Sequence, residues 1–470
     1  MTPAGTYLHC ERVKSALIRK RSSIALASLL VLAIAGTPNA AGAAAGDLDP
    51  SFGIGGKVVT DFGGRDDATA IALQPNGKII VGGRTDTGPN ADFALARYTT
   101  EGFLDPIFDG DGKVTTDLGG SDIVWGLTFR PGGGIVAAGN RDGRLAVVRY
   151  SWDGSLDPTF GNDGTVIHAI GDAWYDVALQ GDGKIVVVGC SNCIGNSDFI
   201  VARLNSDGSV DESFGEQGGW TYADFGVGDT AFATAVQSDG KIVVAGWTGE
   251  TPEADFALAR YDLNGVLDPT FDGDGKVTVD FGGLDHAYGV AIQSAGKIVV
   301  AGDSRDESGD FDFALARLNM DGSLDTQGLD RYMDAPFGVD GKVTTDFNGG
   351  EDQALSVAIE PSGKIVLPGL TEPAPVVASD DFGLARYNVD GSLDSSFGAG
   401  GTVTTSITTA DDIALGAVVQ RDGRIVAAGT ADDGTSTSDF ALARYLVKGC
   451  CTADGSPPGT VPEPPGPLPQ

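Results

Sequence analysis

The chain has 470 residues, with 65 acidic side chains against 31 Lys and Arg and a formal charge of -34. That charge repels phosphate backbones and anionic lipid headgroups, which argues against nucleic acid as a partner. An apolar share of 41% is too high for a disordered acidic chain, and the 71 glycines follow no collagen triplet.

Residues 1–43 read as a secretory signal peptide. Arg12, Lys14, Arg19, Lys20 and Arg21 precede an apolar run from Ile24 to Ala35, and small residues follow from Ala40 to Ala45. This is the order of basic, apolar and cleavage regions, with cleavage expected near Ala43. The apolar run is short for a membrane span, and no later run approaches spanning length. An exported location follows as an expectation: secreted, periplasmic or on the cell surface.

From residue 44 to 445 the chain repeats, and the repeat decides the fold. Leu-Asp-x-x-Phe stands at 48–52, 104–108, 156–160, 267–271 and 393–397, returns as Val210 to Phe214, and is stretched between Leu324 and Phe337. Asp-Phe-Ala-Leu-Ala-Arg-Tyr stands at 92–98, 255–261 and 439–445, with variants in the other four units. The first unit holds four strand-like segments, Lys57–Phe62, Thr69–Gln74, Lys78–Gly83 and Phe93–Tyr98, separated by turn residues such as Pro75-Asn76-Gly77. No apolar run has a 3.6-residue period. These features predict an all-β, seven-bladed β-propeller of four-stranded antiparallel blades. The Lys57–Phe62 segment, lying before the first innermost strand, is expected to close the ring as outer strand of the seventh blade.

Counted from the Asp that opens each innermost strand, offset three is bulky in most units (Trp125, Tyr175, Phe232, Tyr288) and offset six is small (Ala72, Ala178, Ala235, Ala291). Period-two alternation predicts that the bulky face packs against a small face of the neighbouring blade. The tail, 446–470, is Pro-rich and reads as disordered.

The segments "LDPSFGIGGKVVTDFGG", "ALQPNGKIIVGG" and "DFALARY" resemble the delta-60 repeat of exported bacterial proteins. The resemblance covers residues 47–445. It implies a propeller-like fold and brings no general catalytic role or substrate.

Three columns recur in every unit. Arg97, Arg149, Arg203, Arg260, Arg317, Arg386 and Arg444 are expected to pair with Asp49, Asp105, Asp157, Asp211, Asp268, Asp325 and Asp394, since a lone buried charge is costly. The third column is Asp66, Asp122, Asp172, Asp229, Asp285, Asp352 and Asp412. It reads as a ring of carboxylates at one channel mouth, serving either as turn caps or as ligands for calcium, the only cofactor the sequence suggests. A second calcium candidate is the Asp109/Asp111 turn, repeated as Asp272/Asp274, although the EF-hand's final Glu is absent. Cys190 and Cys193 are spaced for a local disulfide. A zinc reading needs a second pair nearby, and Cys450 and Cys451 are adjacent.

No catalytic residues emerge. HExxH is missing, and Ser294-Ala-Gly-Lys297 falls on a hairpin turn. The chain therefore reads as a monomeric binding or scaffold module for an extracellular or periplasmic protein or glycan. Its recognition surface would be the variable loops 84–91, 190–197, 247–254, 303–311 and 370–380, with Trp247 as an exposed anchor. The competing reading is a calcium-dependent, lactonase-like hydrolase at the channel mouth. A pair of blade-specific carboxylates with raised pKa would favour it.

Overall fold

The computed structural model describes residues 43–447, apart from 194–195, 251–252, 306–308, 327–335, 348, 373–378 and 436. The signal-like segment up to residue 42 and the tail with Cys450 and Cys451 lie outside the described residues. Among the described residues every regular element is a strand, and no helix is long and apolar enough to cross a membrane.

The strands form seven antiparallel sheets, each one blade. In blade one, Asp66–Leu73 is innermost, followed by Ile79–Thr85, Asp92–Tyr98 and the outer strand Lys113–Thr116. The first hairpin turns on Gly77, whose φ of 86° lies where glycine carries no Cβ penalty. The Gly77 amide donates to the Gln74 carbonyl, and Asn76 accepts the Lys78 amide through its side chain. Blade six departs from the pattern. Its innermost strand is broken into Asp352–Ala354 and Ala358–Ile359, opposite Pro368, which has no N–H to offer the ladder.

The ring closes as the order of segments predicts. Lys57–Thr60 pairs with Ser438–Tyr445 as outer strand of blade seven, Lys57 opposite Ala443 and Thr60 opposite Phe440. Both ends of the propeller therefore meet in one sheet, and no blade is left with a strand missing.

Apolar side chains fill the spaces between neighbouring blades. Val136 and Val147 of blade two pack with Trp174, Val187 and Ile200 of blade three, for example. A separate cluster occupies the axis: Trp125, Tyr175, Phe232, Tyr288, Leu355 and Leu415 meet there with Trp247 and Leu370. These are the offset-three residues, so the expectation that they pack between blades is corrected. In each unbroken innermost strand a β-bulge falls at this position, for instance at Thr69 between Ala68 and Ala70. A bulge adds one residue and turns its side chain away from the pleat's alternation.

A glycine opposite each bulge makes room for it. A Cβ on Gly83 would lie 1.9 Å from the Asp67 carbonyl oxygen, and on Gly246 1.9 Å from that of Thr230. Gly139, Gly189, Gly302, Gly369 and Gly429 meet the same obstacle at 1.8 to 2.0 Å.

Candidate functional site

The repeated charged columns are spent on holding blades together. All seven Arg–Asp pairs form, among them Arg97–Asp105 at 2.6 Å, Arg203–Asp211 at 2.7 Å and Arg444–Asp49 at 2.9 Å. Each guanidinium also lies over the Phe of Leu-Asp-x-x-Phe, as Arg203 does over Phe214 at 4.4 Å. Most then reach the next blade: Arg203 Nη1 donates to the Leu263 carbonyl at 2.6 Å, and Arg444 Nη1 donates to that of Thr100 across the closure. A charge buried this way is matched by a partner, carbonyls and an aromatic face, which satisfies its desolvation requirement.

The third column does not form a ring around the channel. Six of the seven carboxylates are fully buried and fold back onto the crossover turn before them. Asp122 accepts the Leu118 amide at 2.7 Å, Asp285 the Phe281 amide at 2.6 Å and Asp412 the Ile407 amide at 2.6 Å; Asp66, Asp229 and Asp352 do the same with Phe62, Phe225 and Phe347. None of the seven lines the central cavity. Burial pushes Asp122 and Asp412 up to about 6 and Asp352 to about 7, aided by neighbouring acids. Asp172 is the exception, exposed and accepting the Asn192 amide. The turn before it is shorter than in blade one, and the Trp174 indole donates to Ile170 there.

The axial cavity has a volume of about 140 Å³. Its walls are the bulge residues and their successors, with Asp176 the single carboxylate. Both Asp176 oxygens accept backbone amides, from Val177 and from Thr234 of the next blade, each at 2.8 Å.

What differs from blade to blade is the residue after the capping Asp and its cross-strand partner. These pairs are Asp67/Arg84, Ile123/Asn140, Ala173/Cys190, Thr230/Trp247, His286/Asp303, Gln353/Leu370 and Ile413/Thr430. They sit where the innermost strands begin, beside the variable loops. Arg84 meets Asp67 at 2.6 Å; burial alone would raise the Asp67 pKa, but Arg84 and Arg65 hold it below the ordinary value. Asn140 clamps the Trp174 backbone, accepting its amide at 2.9 Å. Cys190 and Cys193 are joined by a disulfide. His286 Nδ1 lies 2.9 Å from Asp303 Oδ1, and burial drives the Asp303 carboxyl upward.

Trp247 corrects a second expectation. It is 9% exposed, stacked on Phe232 at 4.4 Å and edge-on to His286 at 4.7 Å. The plug that closes the axis absorbs it, so it is a wall of the mouth. The more accessible surface beside it is His286, with 16% of its side chain exposed, and half-buried Phe311 at 5.8 Å between ring centres. The sequence reading passed over this pair. Its signal was the position at which seven otherwise similar units disagree.

The calcium-candidate turns stay apart from these features. Asp109 and Asp272 adopt left-handed φ of 50°, Asp111 accepts the Lys113 amide and Asp274 that of Lys276. All four are exposed.

The repeats match the pattern described as "Domain of unknown function (DUF5122) beta-propeller" at residues 74–108, 133–160, 180–214, 237–271, 293–327, 360–397 and 420–449. The chain belongs to the DUF5122 β-propeller family. No curated protein matches it. Among solved structures it is similar to Sqt1 of Chaetomium thermophilum, in a crystal structure with the N-terminus of ribosomal protein L10, at 16% identity and a TM-score of 0.46 over 83% of this chain and 98% of that one. It is also similar to an inactive virginiamycin B lyase from Staphylococcus aureus, at 10% identity and a TM-score of 0.40 over 83% and 99%. For this DUF5122 propeller both likenesses concern the fold alone.

Proposed function

We propose that this propeller is an exported binding scaffold whose recognition surface is the mouth where the innermost strands begin. The observation that carries the reading is the division of labour among residues. Positions that repeat are committed to blade contacts, while positions that vary gather at one mouth around His286, Phe311, Arg84 and the loops. A partner that reads one surface needs blades that differ there, and fold alone does not supply it. The basic and apolar N-terminal segment and the delta-60 resemblance support export, so the partner is an extracellular or periplasmic protein or glycan. The hydrolase alternative needs free carboxylates at the mouth, where Asp67 is held by Arg84 and Asp303 by His286, while the capping acids stand away from the axial cavity.

The test is a glycan and peptide array probed with the chain and with its His286→Gln and Phe311→Ala variants. The expected result is a saturable ligand whose affinity falls at least about tenfold, roughly 1.4 kcal/mol, in both variants at an unchanged melting temperature. Binding that survives both substitutions, or hydrolysis of a lactone panel by the calcium-loaded chain, would overturn the proposal.

A further inference from the structure

Among the described residues, five of the seven blade junctions gather three carboxylates. Between blades one and two these are Asp92, which opens a third strand, Asp117, which follows the outer strand, and Asp122 of the next blade. Their oxygens lie within 4.8 Å of one another. The same repeat positions meet as Asp198, Asp224 and Asp229, and again around Asp66, Asp285 and Asp352. In each group one acid is exposed, one half-buried and one buried.

A second observation concerns the buried member. Asp122 Oδ2 takes the Leu118 amide, but Oδ1 has no hydrogen-bond partner although the residue is 0% exposed. At Asp66, Asp229, Asp285 and Asp352, the buried members of the other four groups, the same oxygen has no well-aligned donor, and a second-strand hydroxyl is its nearest polar neighbour. A buried acceptor left unmade at the same place in five blades calls for an explanation, and an ion bound there is one.

The junction between blades six and seven acts as an internal control. There Ser406 follows the outer strand where the complete groups have Asp. Its buried acid, Asp412, is fully served within the protein: Oδ2 takes the Ile407 and Thr408 amides, and Oδ1 takes the Thr408 hydroxyl at 3.0 Å. The orphaned oxygen thus accompanies the complete acid group and disappears where the group is incomplete.

We propose that the five complete groups are calcium sites, each ion tying two strands of one blade to the first strand of the next. Calcium takes six to eight hard oxygens at about 2.3–2.6 Å, so oxygens on a common ion lie within about 5 Å of each other, as these do. A second-strand hydroxyl, from Thr85, Thr248, Ser304 or Thr371, stands beside the buried acid in four of the groups and adds oxygen donors. The sites lie at blade junctions, apart from the axial cavity and from the Asp109 and Asp272 turns.

The test is calorimetric titration of calcium chloride into the EGTA-stripped chain at 150 mM NaCl, paired with thermal melts. The expected result is saturable uptake of about five ions with a rise in melting temperature, because an ion bound only by the folded form stabilises it. Asp122→Asn should remove one ion, and Ser406→Asp should add one by completing a sixth group. No saturable uptake would overturn the proposal. So would an ion count that ignores both substitutions, since the ions would then sit elsewhere on the acidic surface. Ser406→Asp keeps the test decisive if Asp122→Asn fails to fold.

Discussion

Tyr98, Tyr150, Tyr387 and Tyr445 end their third strands with the phenol on a threonine of the preceding blade's outer strand: Thr60, Thr116, Thr345 and Thr405. Tyr261 occupies the same place, but Ala223 stands where the threonine would be, and its buried Oη has no partner. Tyr98→Phe is therefore expected to cost about 0.5–1.5 kcal/mol in denaturant titration, while Tyr261→Phe is neutral or stabilising. An equal loss at both sites would contradict the reading. At this scale the sequence was partly legible. Arg97 and Asp105 are eight residues apart, as are most of their counterparts, so the pairing could be expected from the repeat alone. The Tyr98–Thr60 bond joins blade one to blade seven and makes sense only after closure is known.

The innermost strand is where simple alternation misleads. Reading offsets three and six as two faces of one pleat is sound for a regular strand. Here a bulge at offset three sends Trp125, Tyr175, Phe232 and Tyr288 to the axis, and Trp247 joins them. The sequence did carry a sign of it: a glycine recurs opposite this position in every unit, at Gly83, Gly139, Gly189, Gly246, Gly302, Gly369 and Gly429, the strand bulging in six units and breaking in the sixth blade. Gly246→Ala should thus destabilise the chain by about 3 kcal/mol or more, or prevent folding, because the new Cβ meets the Thr230 carbonyl. Gly181, a turn glycine with nothing near its Cβ position, is the matched control, and its Ala variant should change stability by less than about 0.5 kcal/mol. Similar denaturation midpoints for the two variants would rule out the steric account of the bulge. The capping acids show the other limit of reading by column. Asp122 and Asp412 look alike in sequence, yet the residue that follows each preceding outer strand, Asp117 or Ser406, decides whether an acid group is complete.

Across the whole molecule, seven near-equivalent blades create a single place where they need not be equivalent. Repeat arithmetic revealed the blade number, the strand order and the closing strand, because each is a property of period and position. It did not reveal the mouth, because His286, Asp303 and Phe311 stand on three neighbouring strands of blade five and share a surface only once the register of those strands is known. Closure is the central claim for the whole molecule, since it completes blade seven and the contacts between the first and last blades. The most direct measurement compares the thermal melt and solution mass of a chain beginning at Ala44 with one beginning at Asp66, which lacks the Lys57–Thr60 strand and Asp49, the partner of Arg444. The closed-ring account predicts that the shorter chain aggregates through the open edge left by Ser438–Tyr445, or melts at a much lower temperature. An unchanged, monomeric melt would contradict it.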